Sequence, residues 1–398
     1  MILVYPVARA AETPAGKLPK VFALDPQILT VAKQRVLAGD PLLKPALDRL
    51  RRDADKSLRV KSGSVMDKTK TPPSGDKHDY MSLAPYSWPN PSKPDGLPYI
   101  NRDGEVNPET KTISDHTEMS KTISAVDTLA LAYYFTGHEP YAEKAAALIK
   151  GWFLDPATKM NPNLNYAQAV LGRSDGRGTG IIDVVGLIHL VDSIGLLDGS
   201  KAWTPELQHG MEGWFRAFNQ WMLTSKNGLD EAKSANNHGS WYLAQTAAYA
   251  LFTGDQATAR KQVEAGKKNI AAQIELDGRQ PLELKRTKSY MYSLYNLDAL
   301  FILAELGRRV NVDLFQYRSQ DGRSLQAALD FVAQYFPDPK GWPAKQIEPI
   351  KQPDTKLAGL LRRASIAFTN PKYEQLIAKA DVKDIDPCLW QLLWPVPK

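Results

Sequence analysis

Two short stretches gather side chains that could hold negative charge and move protons. In Ser234–Tyr242 (Ser-Ala-Asn-Asn-His-Gly-Ser-Trp-Tyr), Asn236, Asn237, His238 and Trp241 open an apolar run that ends at Gly254. An amide at a helix start caps free backbone N–H groups, and a histidine beside it adds a group that exchanges protons near neutral pH. In Glu283–Asn296, Lys285, Arg286 and Lys288 crowd the start of a second apolar run bearing Tyr290, Tyr292 and Tyr295. Such cations suit a carboxylate ligand. A phenol among them becomes a usable base if its free pKa of about 10 is lowered. An N-cap, a surface histidine and packing tyrosines would use the same residue types, so composition alone leaves both readings open.

The spacing narrows them. Asn236-Asn237-His238 followed by Trp241, then Arg286 with Tyr292 six positions on, resembles the alginate lyase superfamily of polysaccharide lyases. Upstream, Lys77–Pro91 (Lys-His-Asp-Tyr-Met-Ser-Leu-Ala-Pro-Tyr-Ser-Trp-Pro-Asn-Pro) is similar to a motif of the branch that includes alginate and glucuronan lyases. The resemblance implies β-elimination on a 1,4-linked polyuronate. Its C5 proton lies α to a carboxylate and is very weakly acidic until donors stabilise the developing enolate-like charge. By that resemblance Asn237, His238 and Arg286 neutralise the carboxylate, while Tyr292 takes the C5 proton and returns one to the glycosidic oxygen. Tyr292 would serve β-mannuronate or β-glucuronate, and His238 could act as base for α-guluronate. Arg286 and Lys288 are the cations expected to lower the Tyr292 pKa, and Trp241 and Lys288 are expected to touch substrate. No metal or cofactor is implied, and no His-X-X-X-His or Glu-X-X-His pattern supplies a metal site.

The elements that must position these residues read as helices. Residues 20–56 form a helical region with Asp25-Pro26 as its start and Ile28, Val31 and Val36 among its apolar positions. Residues 57–114 are broken by prolines and glycines into a long irregular segment, the length of a lid or groove wall. Its Tyr80, Tyr86, Trp88 and Tyr99 suit stacking on sugar rings or stapling the loop to the body. Beyond His116, Ala-rich helices stop at Gly137 and again at Gly254, and looser copies end at Gly195 and Gly307. Repeated αα-hairpins of this kind curl into an all-α fold, an incomplete or closed α/α toroid. Between hairpins, Asn165, Gln168 and Arg177 could bind carboxylates and hydroxyls, with Gly176, Gly178 and Gly180 allowing a ligand close to backbone. Residues 339–398 are expected to wrap the toroid, and 20–398 to form one lyase domain.

Composition agrees with a globular chain: 398 residues, 43% hydrophobic and 24% charged. The net charge of +6 suits a polyanionic partner, an anionic polysaccharide, and no basic tail or motif points to nucleic acid. Cys388 is the only cysteine, which excludes an intrachain disulfide. Residues 1–19 read as the remnant of a secretory leader with Ala8 and Ala10 at a cleavage-type site, so a periplasmic or secreted location is expected. No run of apolar residues has the length of a membrane span. Two alternatives remain: a glycoside hydrolase using an acid pair drawn from Asp115, Glu118 and Asp183, and a polyuronate-binding protein without catalysis.

Overall fold

The computed structural model describes residues 18–380 and 382–396, so residues 1–17 of the leader-like start lie outside the described residues. Helices α1 (Pro26–Leu37) and α2 (Lys44–Ser57) come first. A largely irregular segment follows, and then the hairpin α3 (Asp115–Thr136) with α4 (Glu139–Ile149), followed by α5 (Leu187–Leu196) and α6 (Pro205–Thr224). Next come α7 (Lys226–Glu231), α8 (Asn237–Phe252), α9 (Gln256–Gln273), α10 (Pro281–Leu284), α11 (Ser289–Arg309), α12 (Leu325–Ala333) and α13 (Thr355–Ala367). The short α14 (Lys372–Ile377), α15 (Val382–Ile385) and α16 (Trp390–Leu393) complete the order.

These hairpins make an all-α, α/α toroid. Helix α8 packs on α5, α6, α9 and α11. Every residue of α8 from Gly239 to Leu251 is buried, which is why its sequence is apolar all round rather than on one face. Gly137 and Gly254 adopt left-handed conformations (φ 68° and 83°) just beyond α3 and α8, the stops their sequences signal. Gly195 and Gly307 do something else. They lie inside α5 and α11, where a Cβ would run into the carbonyl oxygens of Lys20 and Val312; Gly195 admits a crossing chain, and Gly307 admits the chain's own turn back just after α11. In the first helical region the Asp25 side chain accepts from the Gln27 and Ile28 N–H groups, but Val31 faces solvent and Leu29 and Ala32 face the core.

The irregular segment carries three of four short strands: β1 (Met81–Leu83), β2 (Ser87–Trp88) and β3 (Ile100–Asn101), the fourth being β4 (Tyr166–Ala169). Strand β1 runs parallel to β4, and β2 antiparallel to β3. Buried charge fastens the segment to the body. Lys68 pairs with Asp115 at 2.9 Å, both side chains wholly buried, and also donates to the carbonyls of Val65 and Lys77. Asp115 in turn accepts from the Met81 N–H at 3.0 Å. At the far end of the chain, α16 packs on α1 and α2, and Arg35 donates to the Val396 carbonyl. Among the described residues, Gly178–Leu196 has the length and apolarity of a membrane span, but 61% of it is buried as a core element.

Candidate active site

Three elements bring the chemistry together. Asn236 caps α8, its side chain accepting from the His238 N–H, which fixes Asn237 and His238 in the first turn. Asn237 is fully buried; its backbone N–H and its Nδ2 both donate to Glu283 at 2.8 Å, and its Oδ1 has no partner. Burial pushes the Glu283 carboxyl up, with Asn237, Arg286 and His238 working in the opposite direction. His238 meets Glu231, at the end of α7, through Nδ1 at 2.6 Å. A carboxylate there favours the tautomer with hydrogen on Nδ1, leaving Nε2 free to act.

Arg286 and Tyr292 straddle the start of α11. The Arg286 guanidinium lies over the Tyr292 ring, 3.6 Å from its centroid, and donates through Nε and Nη2 to Asp103 at 3.1 and 2.6 Å. Burial opposes the Arg286 charge, but Asp103, Tyr292 and Glu283 outweigh it and raise its pKa. The Tyr292 hydroxyl sits 2.8 Å from that of Tyr86, which the irregular segment delivers to the site. Here the expected lowering of the phenol is not what the arrangement gives. Burial pushes the Tyr292 pKa well above the ordinary phenol value, the bond to Tyr86 adds to the rise, and Arg286 offsets only part. Lys288 is not among the main groups acting on this phenol, and its Nζ is paired with Glu348 at 2.5 Å.

Several residues expected to touch substrate serve the scaffold instead. Tyr80 is 0% exposed and donates to Asp183, so it staples the segment and cannot stack on a sugar. Gln168 is buried at φ 51°, donating to Asp183 at 2.6 Å and accepting from Arg177 at 2.9 Å. Trp241 is 3% exposed, packed on Tyr295 at 4.8 Å with its Nε1–H unpartnered. Gly176, Gly178 and Gly180 admit backbone, not ligand: a Cβ on each would strike Asn165, Asn227 and Ala167 in turn. Others remain accessible. Trp88 donates from Nε1 to the Glu105 carbonyl and carries Arg102 at 5.1 Å over its ring. Asn165 is exposed, its Oδ1 accepting from Trp221 Nε1 at 2.9 Å. Arg177 is half-buried; burial lowers its pKa, Asp183 and Glu231 offset this, and its Nε has no partner.

Glu231, Glu283, Asp103 and Asp183 hold this arrangement, and the sequence motifs name none of them as partners. Asp183 accepts from Tyr80, Ser82 and Gln168, and Asp115 is neutralised by Lys68. Both are therefore committed to the scaffold, and Glu118 faces Lys121 across one helix turn, so these three carboxylates are engaged elsewhere rather than set out as the acid pair of a hydrolase. Among the described residues no group of three or more His, Cys, Asp or Glu side chains could hold a metal ion.

Fold and chemistry converge on one class of enzyme, the polysaccharide lyases. The family model for alginate lyase matches residues 64–342, and the chain belongs to that family. An alginate lyase from Bacteroides ovatus is similar at 41% identity and a TM-score of 0.91, covering 96% of this chain and 100% of its own. Alginate lyase A1-III from Sphingomonas species A1 shares the fold at a TM-score of 0.59 and 16% identity, with 96% and 98% covered. A variant of A1-III complexed with a tetrasaccharide gives 0.61 and 15% over the same shares. No curated protein sequence matches the chain.

Proposed function

We propose that the protein cleaves a 1,4-linked polyuronate, alginate rich in mannuronate or glucuronan, by β-elimination. The observation that carries this reading is the Arg286 guanidinium stacked on the Tyr292 ring while the Tyr86 hydroxyl meets the Tyr292 hydroxyl. A cation and a proton-carrying oxygen then stand within one sugar's reach of each other. Asn237, His238 and Arg286 neutralise the uronate carboxylate, making its C5 proton removable. Tyr292 Oη takes that proton, the C5–H electron pair becomes the C4=C5 bond, and the C4–O bond breaks. The leaving glycosidic oxygen receives a proton from the same tyrosine. Because burial holds the phenol up, the reactive phenolate is scarce at neutral pH, and the rate should climb on the alkaline side.

His238, with Nδ1 engaged by Glu231, offers Nε2 to the carboxylate, or as base for α-guluronate, whose C5 proton lies on the opposite face. Tyr86, Trp88, Asn165 and Arg177 would line the groove for the polymer. The two descriptions of such a partner with which the net charge of +6 is compatible, polyanion and polyuronate, coincide here. A polymer substrate would be met in the periplasm or outside the cell. The reading is tested by following unsaturated-uronate absorbance on polymannuronate, polyguluronate, glucuronan and hyaluronan. Product from one of the first three supports it; tight binding of all of them without product would leave a polyuronate-binding protein instead.

A further inference from the structure

The Asp103 carboxylate stands out because it comes from the irregular segment, 183 residues before the arginine it grips. One of its oxygens takes both Nε and Nη2 of Arg286. The other accepts from the Thr287 N–H at 2.9 Å and Oγ1 at 3.0 Å, and the Asp103 carbonyl accepts again from Thr287 Oγ1 at 2.8 Å. Gly104 confirms how tightly the two chains meet. Its φ is +82°, and a Cβ there would strike Thr287 Oγ1 and press on Ile347. On the other side the turn is tied down by backbone bonds from Ile347 to Thr287 and from Ser289 to Lys345. Arg286 thus has its backbone fixed by one segment and its guanidinium fixed by another.

We infer that Asp103 is a positioning residue for the elimination: it holds the Arg286 guanidinium flat against the Tyr292 ring, so that the seated segment completes the carboxylate-binding cation. This rests on the lyase reading above. A guanidinium uses five N–H donors in a fixed fork. Asp103 occupies Nε and one N–H of Nη2, which leaves the Nη1 edge for a substrate carboxylate. Without Asp103 the guanidinium is free to swing off the ring, and a misplacement of about 1 Å costs on the order of a hundredfold in rate.

The groups facing the Tyr292 hydroxyl and ring are Tyr86 from the segment before β2, Arg286 from the turn before α11, and Asp103 from the segment after β3. They make the sign of the pH response informative. If Asp103 merely compensates charge, Asp103→Asn leaves Arg286 in place and unopposed, and the ascending limb of the pH–rate profile moves to lower pH. If Asp103 positions Arg286, the cation leaves the ring and the limb moves to higher pH.

The experiment compares wild type, Asp103→Asn, Arg286→Lys and the double variant on polymannuronate, together with the Arg286 Nε–H resonance by NMR. The expected result is kcat lower by about 10- to 100-fold in Asp103→Asn, a rise in KM because the displaced guanidinium is also the carboxylate's ligand, an alkaline shift of the limb and faster exchange of the Arg286 Nε–H. In Arg286→Lys the further change should cost little more. A loss confined to KM, an acid shift of the limb, or additive losses in the double variant would overturn the inference. Should Asp103→Asn fail to fold, Thr287→Val removes the Oγ1 donor from the same carboxylate and must lower kcat in the same direction, or the inference falls. A wild-type protein that released no unsaturated uronate would fail the lyase reading instead. The Arg286 resonance would still decide whether Asp103 pins it.

Discussion

Replacing Arg286 with Gln removes the cation stacked on Tyr292 that offsets part of its burial, and the structure allows the effect to be sized. The guanidinium carbon lies 3.6 Å above the ring centroid, and both side chains are largely shielded, Arg286 being 21% exposed. A phenolate oxygen projecting from the ring edge is then about 4.5 Å from the charge, worth about 4 kcal/mol at an effective dielectric of about 20. Asp103, 2.6 Å from Arg286, cancels part of this. A net loss of about 2–3 kcal/mol corresponds to roughly 30- to 150-fold less phenolate at a fixed pH. Arg286→Gln should therefore lower kcat by about that factor near neutrality, and the ascending limb should move alkaline by about two pH units. Because Arg286 is also the proposed ligand of the substrate carboxylate, KM should rise as well. The assay is unsaturated-uronate absorbance over a pH series with full titration of polymer at each point. A limb that stays in place while only KM rises would refute the electrostatic argument and leave Arg286 as a binding group alone.

Other outcomes follow from the same geometry. His238→Asn keeps a donor at the carboxylate, so activity on polymannuronate or glucuronan should fall yet remain measurable, whereas any guluronate activity that uses the imidazole as base should vanish; equal losses on both polymers would leave His238 a ligand only. Tyr86→Ala or Trp88→Ala should raise KM for long polymers, and an unchanged KM with a lower melting temperature would make these aromatics structural. Asp115→Asn leaves Lys68 buried without its countercharge and should cost about 3–5 kcal/mol, read by denaturant unfolding; a loss within experimental error would contradict the pairing. Asp192, pushed up to about 6 chiefly by burial although it accepts from the Phe22, Ala23 and Leu24 N–H groups, binds its proton more tightly folded than unfolded. Its contribution is fully present below the unfolded carboxylate pKa of about 4 and is lost as pH rises through about 6. Asp192→Asn should accordingly gain in melting temperature relative to wild type between pH 4 and 7, and the opposite trend would be evidence against it.

What could be read from the sequence is what local chemistry dictates. The Ala-rich helices closed by Gly137 and Gly254 signal hairpins because a left-handed stop needs a residue without a Cβ, and both glycines adopt it. Gly195 carries the same letter but serves a crossing whose partner, Lys20, no local pattern reveals, while Gly307 makes room for the turn that follows α11. The Asn-Asn-His start of α8 was legible for the same reason: capping is a matter of neighbours, Asn236 to His238. Long-range partners were not. Asp103 reaches Arg286 across 183 residues, and Glu283 reaches Asn237 across 46, with nothing in either stretch to announce the pairing. Aromatic type also failed to separate roles, since Tyr80 and Tyr86 share one loop yet one is sealed against Asp183 and the other meets Tyr292. The environment of Tyr292 shows the limit most plainly: two cations nearby in sequence suggest a lowered phenol, while the fold spends Lys288 on Glu348 and lets burial dominate.

The central claim is that Tyr292 carries the proton in an elimination. Tyr292→Phe removes one hydroxyl and its bond to Tyr86 while keeping the ring under Arg286, so folding and polymer binding should persist. With wild type active on polymannuronate or glucuronan, the variant should bind the same polymer with similar affinity and release unsaturated uronate at least about 10³- to 10⁴-fold more slowly. Unsaturated product formed within about tenfold of the wild-type rate would contradict the account and move the proton-transfer role to another residue.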